Sequence, residues 1–104
     1  MTTWFITRHP GAREWAQSAG LLIDRHCTHL DPSEVRAGDT VIGTLPVHLA
    51  AAVCQRGARY LHLSLDVPEH ARGQELDADG LRACNPRLEA YAIDRRPAGE
   101  AEAA

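Results

Sequence analysis

The chain has 104 residues and a mass of 11.4 kDa, one domain's worth of sequence with room for a single layered core. Its apolar fraction of 44% and charged fraction of 24% are those of an ordinary globular protein, and no apolar run approaches the roughly 18 residues of a membrane span. The net charge of −3 argues against non-specific binding of long duplex nucleic acid, yet all eleven basic residues are arginines, which grip anions in planar, bidentate fashion.

Residues 3–8 (TWFITR) are β-branched and aromatic and predict a first strand. Pro10 and Gly11 interrupt it, and Ala12, Trp15, Ala16 and Ala19 then recur at helical spacing up to Gly20. Residues 21–30 begin apolar and alternate loosely, which predicts a second strand. Asp31 to Val35 reads as a turn or one short helical turn. Gly38-Asp39 is a turn signal ahead of a third strand over 40–44. Pro46 suits a helix start. Val47, Ala50, Ala51 and Cys54 make one stripe, widened by Leu49 and Val53, and Gly57 closes that mostly buried helix. A fourth strand over 60–65 sets Leu61, Leu63 and Leu65 on one face and Tyr60, His62 and Ser64 on the other. Asp77 or Asp79 can cap a short helix through Leu81 and Cys84, which Asn85-Pro86 stops before a fifth strand over 87–94.

Strand and helix alternate, which predicts a compact Rossmann-like α/β domain over residues 2–96, with a mostly parallel five-stranded sheet flanked by helices. The Ala/Glu-rich segment 97–104 reads as a disordered tail. Cys27, Cys54 and Cys84 are odd in number and widely spaced, so neither a disulfide framework nor a zinc site is expected. Reduced thiols, and the absence of a basic-then-apolar segment in Met1 to Thr7, point to a cytoplasmic protein. No histidine pair has the i, i+4 spacing of a helical metal site, and no cofactor motif is present, so no metal and no cofactor are expected.

Ligands of such sheets gather outside the carboxyl ends of the strands. That rule selects Thr7, Arg8 and His9 after the first strand, Gly43, Thr44 and Leu45 after the third, and Ser64 near the end of the fourth. Two of these groups lead into helix N-termini, whose free N–H groups favour an anion. Thr7, Thr44 and Ser64 are hydroxyl donors, Arg8 supplies a bidentate phosphate grip, and His9 and His48 can move protons near neutral pH. Thr44 can equally cap its helix, His48 can be a solvated bystander, and His9-Pro10-Gly11 can be ordinary turn chemistry. His62 reads as structural. Arg72-Gly73 is a basic turn that can close over a ligand.

Four segments carry a family resemblance: TRHPGA at 7–12, DRHCTHLD at 24–31, GDTVIGTLPVHLAAAVCQRGARYLHLSLD at 38–66, and RGQEL at 72–76. Over residues 2–95 the chain resembles the short Csx-type accessory proteins encoded at type III CRISPR loci. The resemblance implies a CARF-like version of the Rossmann-like domain. It also implies a ring nuclease that degrades cyclic tetra-adenylate and switches off type III signalling, or a related protein that binds the ring without cutting it. A two-fold homodimer would match the symmetry of that ligand. The expected reaction needs no metal: a ribose 2′-oxygen attacks the neighbouring phosphate and expels the 5′-oxygen. Arg8 and the amides near Thr44 would stabilise the phosphoryl charge. His9 is the first candidate for general acid and His48 the second. A third expectation, from the negative charge and the Ala/Glu tail, is an unrelated protein-partner role.

Overall fold

The computed structural model describes residues 1–74 and 76–98. Five strands form one sheet: β1 (Thr3–Ile6), β2 (Arg25–Cys27), β3 (Thr40–Gly43), β4 (Arg59–Ser64) and β5 (Arg87–Tyr91), in the order β2-β1-β3-β4-β5. The first four are mutually parallel, and β5 runs antiparallel against β4. Helices α1 (Pro10–Ser18), α2 (Val47–Gln55) and α3 (Ala78–Arg82) cover the sheet, with short 3-10 turns at Pro32–Glu34 and Glu69–Ala71. This is the expected Rossmann-like α/β arrangement.

The strand order dictates where the helices go. The β1-α1-β2 crossover steps one way along the sheet and β3-α2-β4 steps the other. Both crossovers are right-handed by the rule for parallel strands, so α1 and α2 take opposite faces. Alternating side chains fill both sides. Trp4, Ile6, Val41 and Tyr60 join Ala50 and Val53 of α2 in one core. Phe5, Ile42 and Leu63 join Ala12, Ala16 and Leu81 in the other. Each large side chain fully buried in this way contributes about 1.5–3 kcal/mol.

Two local devices set the register. Asp39 is buried and accepts from Thr2 N (2.9 Å), Arg36 N (3.0 Å) and Trp4 Nε1 (3.2 Å), tying the start of β1 to the turn before β3. The backbone amides of Arg36 and then Thr2 hold this carboxyl below its ordinary range, against the opposing effect of burial. Gly43 ends β3 where a Cβ would come within 2.6 Å of the Ile6 carbonyl oxygen, so only glycine permits β1 and β3 to lie this close.

Four expectations need correction, the first being the fifth strand, which spans Arg87–Tyr91 and not 87–94. The second strand is three residues long, not the span 21–30. Leu21 and Ile23 alternate because they pack beneath α1, while Asp24 clamps the chain to Thr3 before pairing begins (Asp24 N to Thr3 O, 2.9 Å; Thr3 N to Asp24 Oδ2, 2.7 Å). On α2 the buried positions are Ala50 and Val53, whereas Val47 is 71% exposed. Thr44 does not cap α2; its hydroxyl donates to the Leu63 carbonyl oxygen at 2.8 Å. Asp77 is the cap of α3, accepting from Gly80 N at 2.7 Å. All three cysteines are free thiols. The expected tail over 97–104 falls, from residue 99 onward, outside the described residues. Among the described residues no helix is long and apolar enough to cross a membrane.

Candidate functional site

The direction of connection reverses between β1 and β3, and in open α/β sheets that switch point leaves a crevice at the carboxyl ends of the strands. A cavity of about 450 Å³ opens there. Its polar lining is Thr7, Arg8 and His9 from the β1–α1 turn, Thr28 and His29 from the segment after β2, and Thr44 after β3. Its apolar lining includes Leu30, Leu45, Leu49, Leu63 and Leu65. No carboxylate lines the cavity among the described residues.

Hydrogen bonding decides what each group has left to offer. The Thr7 hydroxyl oxygen accepts from His9 N at 3.1 Å, which leaves its O–H free to donate into the cavity. Thr44, already donating to Leu63, can still accept. The Leu45 amide is occupied, because it donates to Tyr60 Oη at 3.0 Å. It is therefore not one of the free amides expected near Thr44. Amides without an intrahelical acceptor remain in the first turn of α2, at Val47 and His48. His9 is the N-cap of α1 and contributes no side-chain cap. Its Nδ1 is buried and has no hydrogen-bond partner among the described residues.

The structure brings Thr7, Arg8, His9, Thr44 and Leu45 together on one cavity. Gly43 stands directly behind it, its carbonyl accepting from Tyr60 Oη at 3.2 Å. His48 is exposed on α2 and does not line the cavity. Ser64 is half-buried at the end of β4, and Arg72 is exposed after the Glu69–Ala71 turn; neither reaches the cavity wall. Thr28, His29 and Leu30 were not among the expected residues. They line the cavity because β2 stops at Cys27 and the chain bends over the end of β1, where Thr7 N donates to Cys27 O at 3.0 Å. Among the described residues no three His, Cys, Asp or Glu side chains converge as a metal site.

A family model described as "Putative CRISPR-associated protein (Cas_VVA1548)" matches residues 4–94. No curated protein and no solved structure matches the chain.

Proposed function

The chain belongs to the Cas_VVA1548 family, and from that membership and the cavity at the β1/β3 switch point we propose that it is a ring nuclease of type III CRISPR defence. It binds cyclic tetra-adenylate and cuts it without metal, ending the signal. The observation that carries this reading is the mixed lining of the cavity, which combines Arg8, His9 and Thr7 with several leucines. A nucleotide needs both, cationic and hydroxyl donors for phosphate and ribose and an apolar surface for the base.

A cavity of about 450 Å³ is near the small end of the range for small-molecule sites. It takes one nucleotide unit of the ring. A two-fold homodimer presents the same groups twice, matching a ring of two-fold symmetry. In the reaction the 2′-hydroxyl loses its proton and its oxygen bonds to phosphorus. The P–O5′ bond then breaks, and the departing 5′-oxygen takes a proton from His9 acting as its imidazolium, which is left as the neutral ring. The product is linear and ends in a 2′,3′-cyclic phosphate. Arg8 and the Thr7 hydroxyl balance charge on the phosphoryl oxygens. In this reading His29, which lines the same cavity, takes the 2′-hydroxyl proton; His48, the second candidate for general acid, is exposed on α2 and does not line the cavity. One positioned acid or base contributes about 10²–10⁴-fold.

A second reading is a non-catalytic protein that sequesters or senses the same ring. The lack of a carboxylate on the cavity wall among the described residues favours it. Incubation with cyclic tetra-adenylate in EDTA, followed by chromatography and mass spectrometry, separates the two. Linear products ending in 2′,3′-cyclic phosphate are expected. Intact ring that co-elutes with the protein makes it a binding protein, and intact ring that does not co-elute refutes both.

A further inference from the structure

A second concavity, a groove of about 390 Å³, lies on the other side of the β1–α1 turn, between α1 and the edge strand β2. His9, Arg13 and Gln17 follow one another at a spacing of four residues and form one stripe along α1. His26 faces them from β2. It is held there by its register partner Phe5, whose ring lies 5.7 Å from the imidazole, centroid to centroid. Burial, and then the charge of nearby Arg13, push the His26 imidazole below its ordinary value. Glu14 is the one carboxylate on the groove wall among the described residues.

The groove and the cavity share Thr7, Arg8, His9 and Thr28, so they are two halves of one surface divided by the β1–α1 turn. The ion pairs among the described residues involve Arg82, Arg87 and Arg96. Arg25 lies over the Trp4 ring, and Arg56 bonds the Val35 and Ser33 carbonyls. Arg8 and Arg13 make no such contacts among the described residues. In a protein of net charge −3, a groove with two uncommitted guanidinium groups against one carboxylate reverses the sign of the surface locally.

We propose that this groove is a second phosphate subsite for the ligand of the cavity. The cavity holds one nucleotide unit, Arg8 stands at the turn, and the next phosphate along the chain lies between Arg13 and His26. The ligand class is therefore a nucleotide with phosphates on two positions of its sugar, or an oligomer of such units. This inference rests on the nucleotide reading of the cavity.

Calorimetric titration with two small probes, 5′-AMP and adenosine 3′,5′-bisphosphate, tests it on the full chain. Wild-type protein is expected to bind the bisphosphate about tenfold more tightly than AMP, the gain of one charge-assisted phosphate contact. Arg13→Ala and Arg13→Glu are expected to abolish that difference while leaving AMP affinity within about twofold, because Arg13 is exposed and outside the cavity wall. Arg59→Ala, at the opposite end of the parallel strands, is expected to leave the tenfold ratio intact. Equal affinity for the two probes in wild type, or a ratio that survives Arg13→Glu, overturns the second subsite alone. Binding of neither probe overturns the nucleotide reading of the cavity and the subsite with it.

Discussion

Tyr60 Oη lies 2.6 Å from His62 Nδ1, and the pair holds the loop that forms one lip of the cavity. The phenol has three neighbours and one proton. Leu45 N–H donates to it, and Tyr60 O–H donates to the Gly43 carbonyl. All three contacts hold together only when His62 carries its proton on Nδ1 and donates as well. His62 is thereby a buttress of Tyr60, with Tyr91 packed edge-on against its far side.

Tyr60→Phe keeps the ring in its core and removes only the oxygen. The Leu45 amide and Gly43 carbonyl then lose a buried partner, at an expected cost of about 1–3 kcal/mol, read from the midpoint of urea unfolding. Burial pushes the Tyr60 phenol above its ordinary value of 10.0. The folded state thus holds this proton more tightly than the unfolded chain. The stabilisation is complete below about pH 10 and fades as pH rises through the folded value. Wild type is expected to lose stability at high pH more steeply than Tyr60→Phe.

Asp39 gives the opposite sign. Its carboxyl is held below the ordinary 3.8, so its stabilisation is present above that pH and is lost as pH falls through the lower, folded value. Asp39→Ala strands three N–H donors and is expected to cost about 2–4 kcal/mol at neutral pH. In a urea series from pH 6 downward, wild type should converge on the variant only in strong acid. A constant gap down to about pH 2 would show that charge plays no part.

Gly43→Ala drives a methyl group into the Ile6 carbonyl at the switch point. Separating β1 from β3 there is expected to cost about 1–3 kcal/mol and to weaken ligand binding, since Thr7 and Thr44 flank the strained contact. Thermal unfolding with and without cyclic tetra-adenylate measures both effects. An unchanged midpoint would mean that the strands relax freely.

His9→Ala is expected to slow ring cleavage at least about tenfold while binding persists, because Arg8 and the leucines that line the cavity remain. Single-turnover rates and calorimetric affinity, measured side by side, separate the two effects. Unchanged cleavage removes His9 from the chemistry.

The strand-end rule located Thr7, Arg8, His9, Thr44 and Leu45 from sequence because it needs only the strand segments and their direction, and a helix between two successive strands implies that they run parallel. It failed for Ser64, which does not line the cavity, and it missed Thr28 and His29, which do. The alternation of Leu21 and Ile23 arises from packing under α1, and nothing local marks the point where sheet pairing starts and stops. The occupied state of the Leu45 amide was equally invisible. It depends on a tyrosine 15 positions away that reaches through the α2-side core. Periodicity reports which face a residue takes, whereas the pairing of polar atoms across a core is settled by tertiary contact.

The division of the interior into two cores separates the protein's two tryptophans. Trp4 belongs to the α2-side core and Trp15 packs against the α1-side core, on opposite faces of one sheet. The molecule thus carries an intrinsic fluorescent reporter on each face. Replacing either tryptophan by phenylalanine isolates the emission of the other. Coincident unfolding curves from the two reporters would mark a single cooperative unit, and separated curves would show one helical layer peeling away while the opposite layer holds.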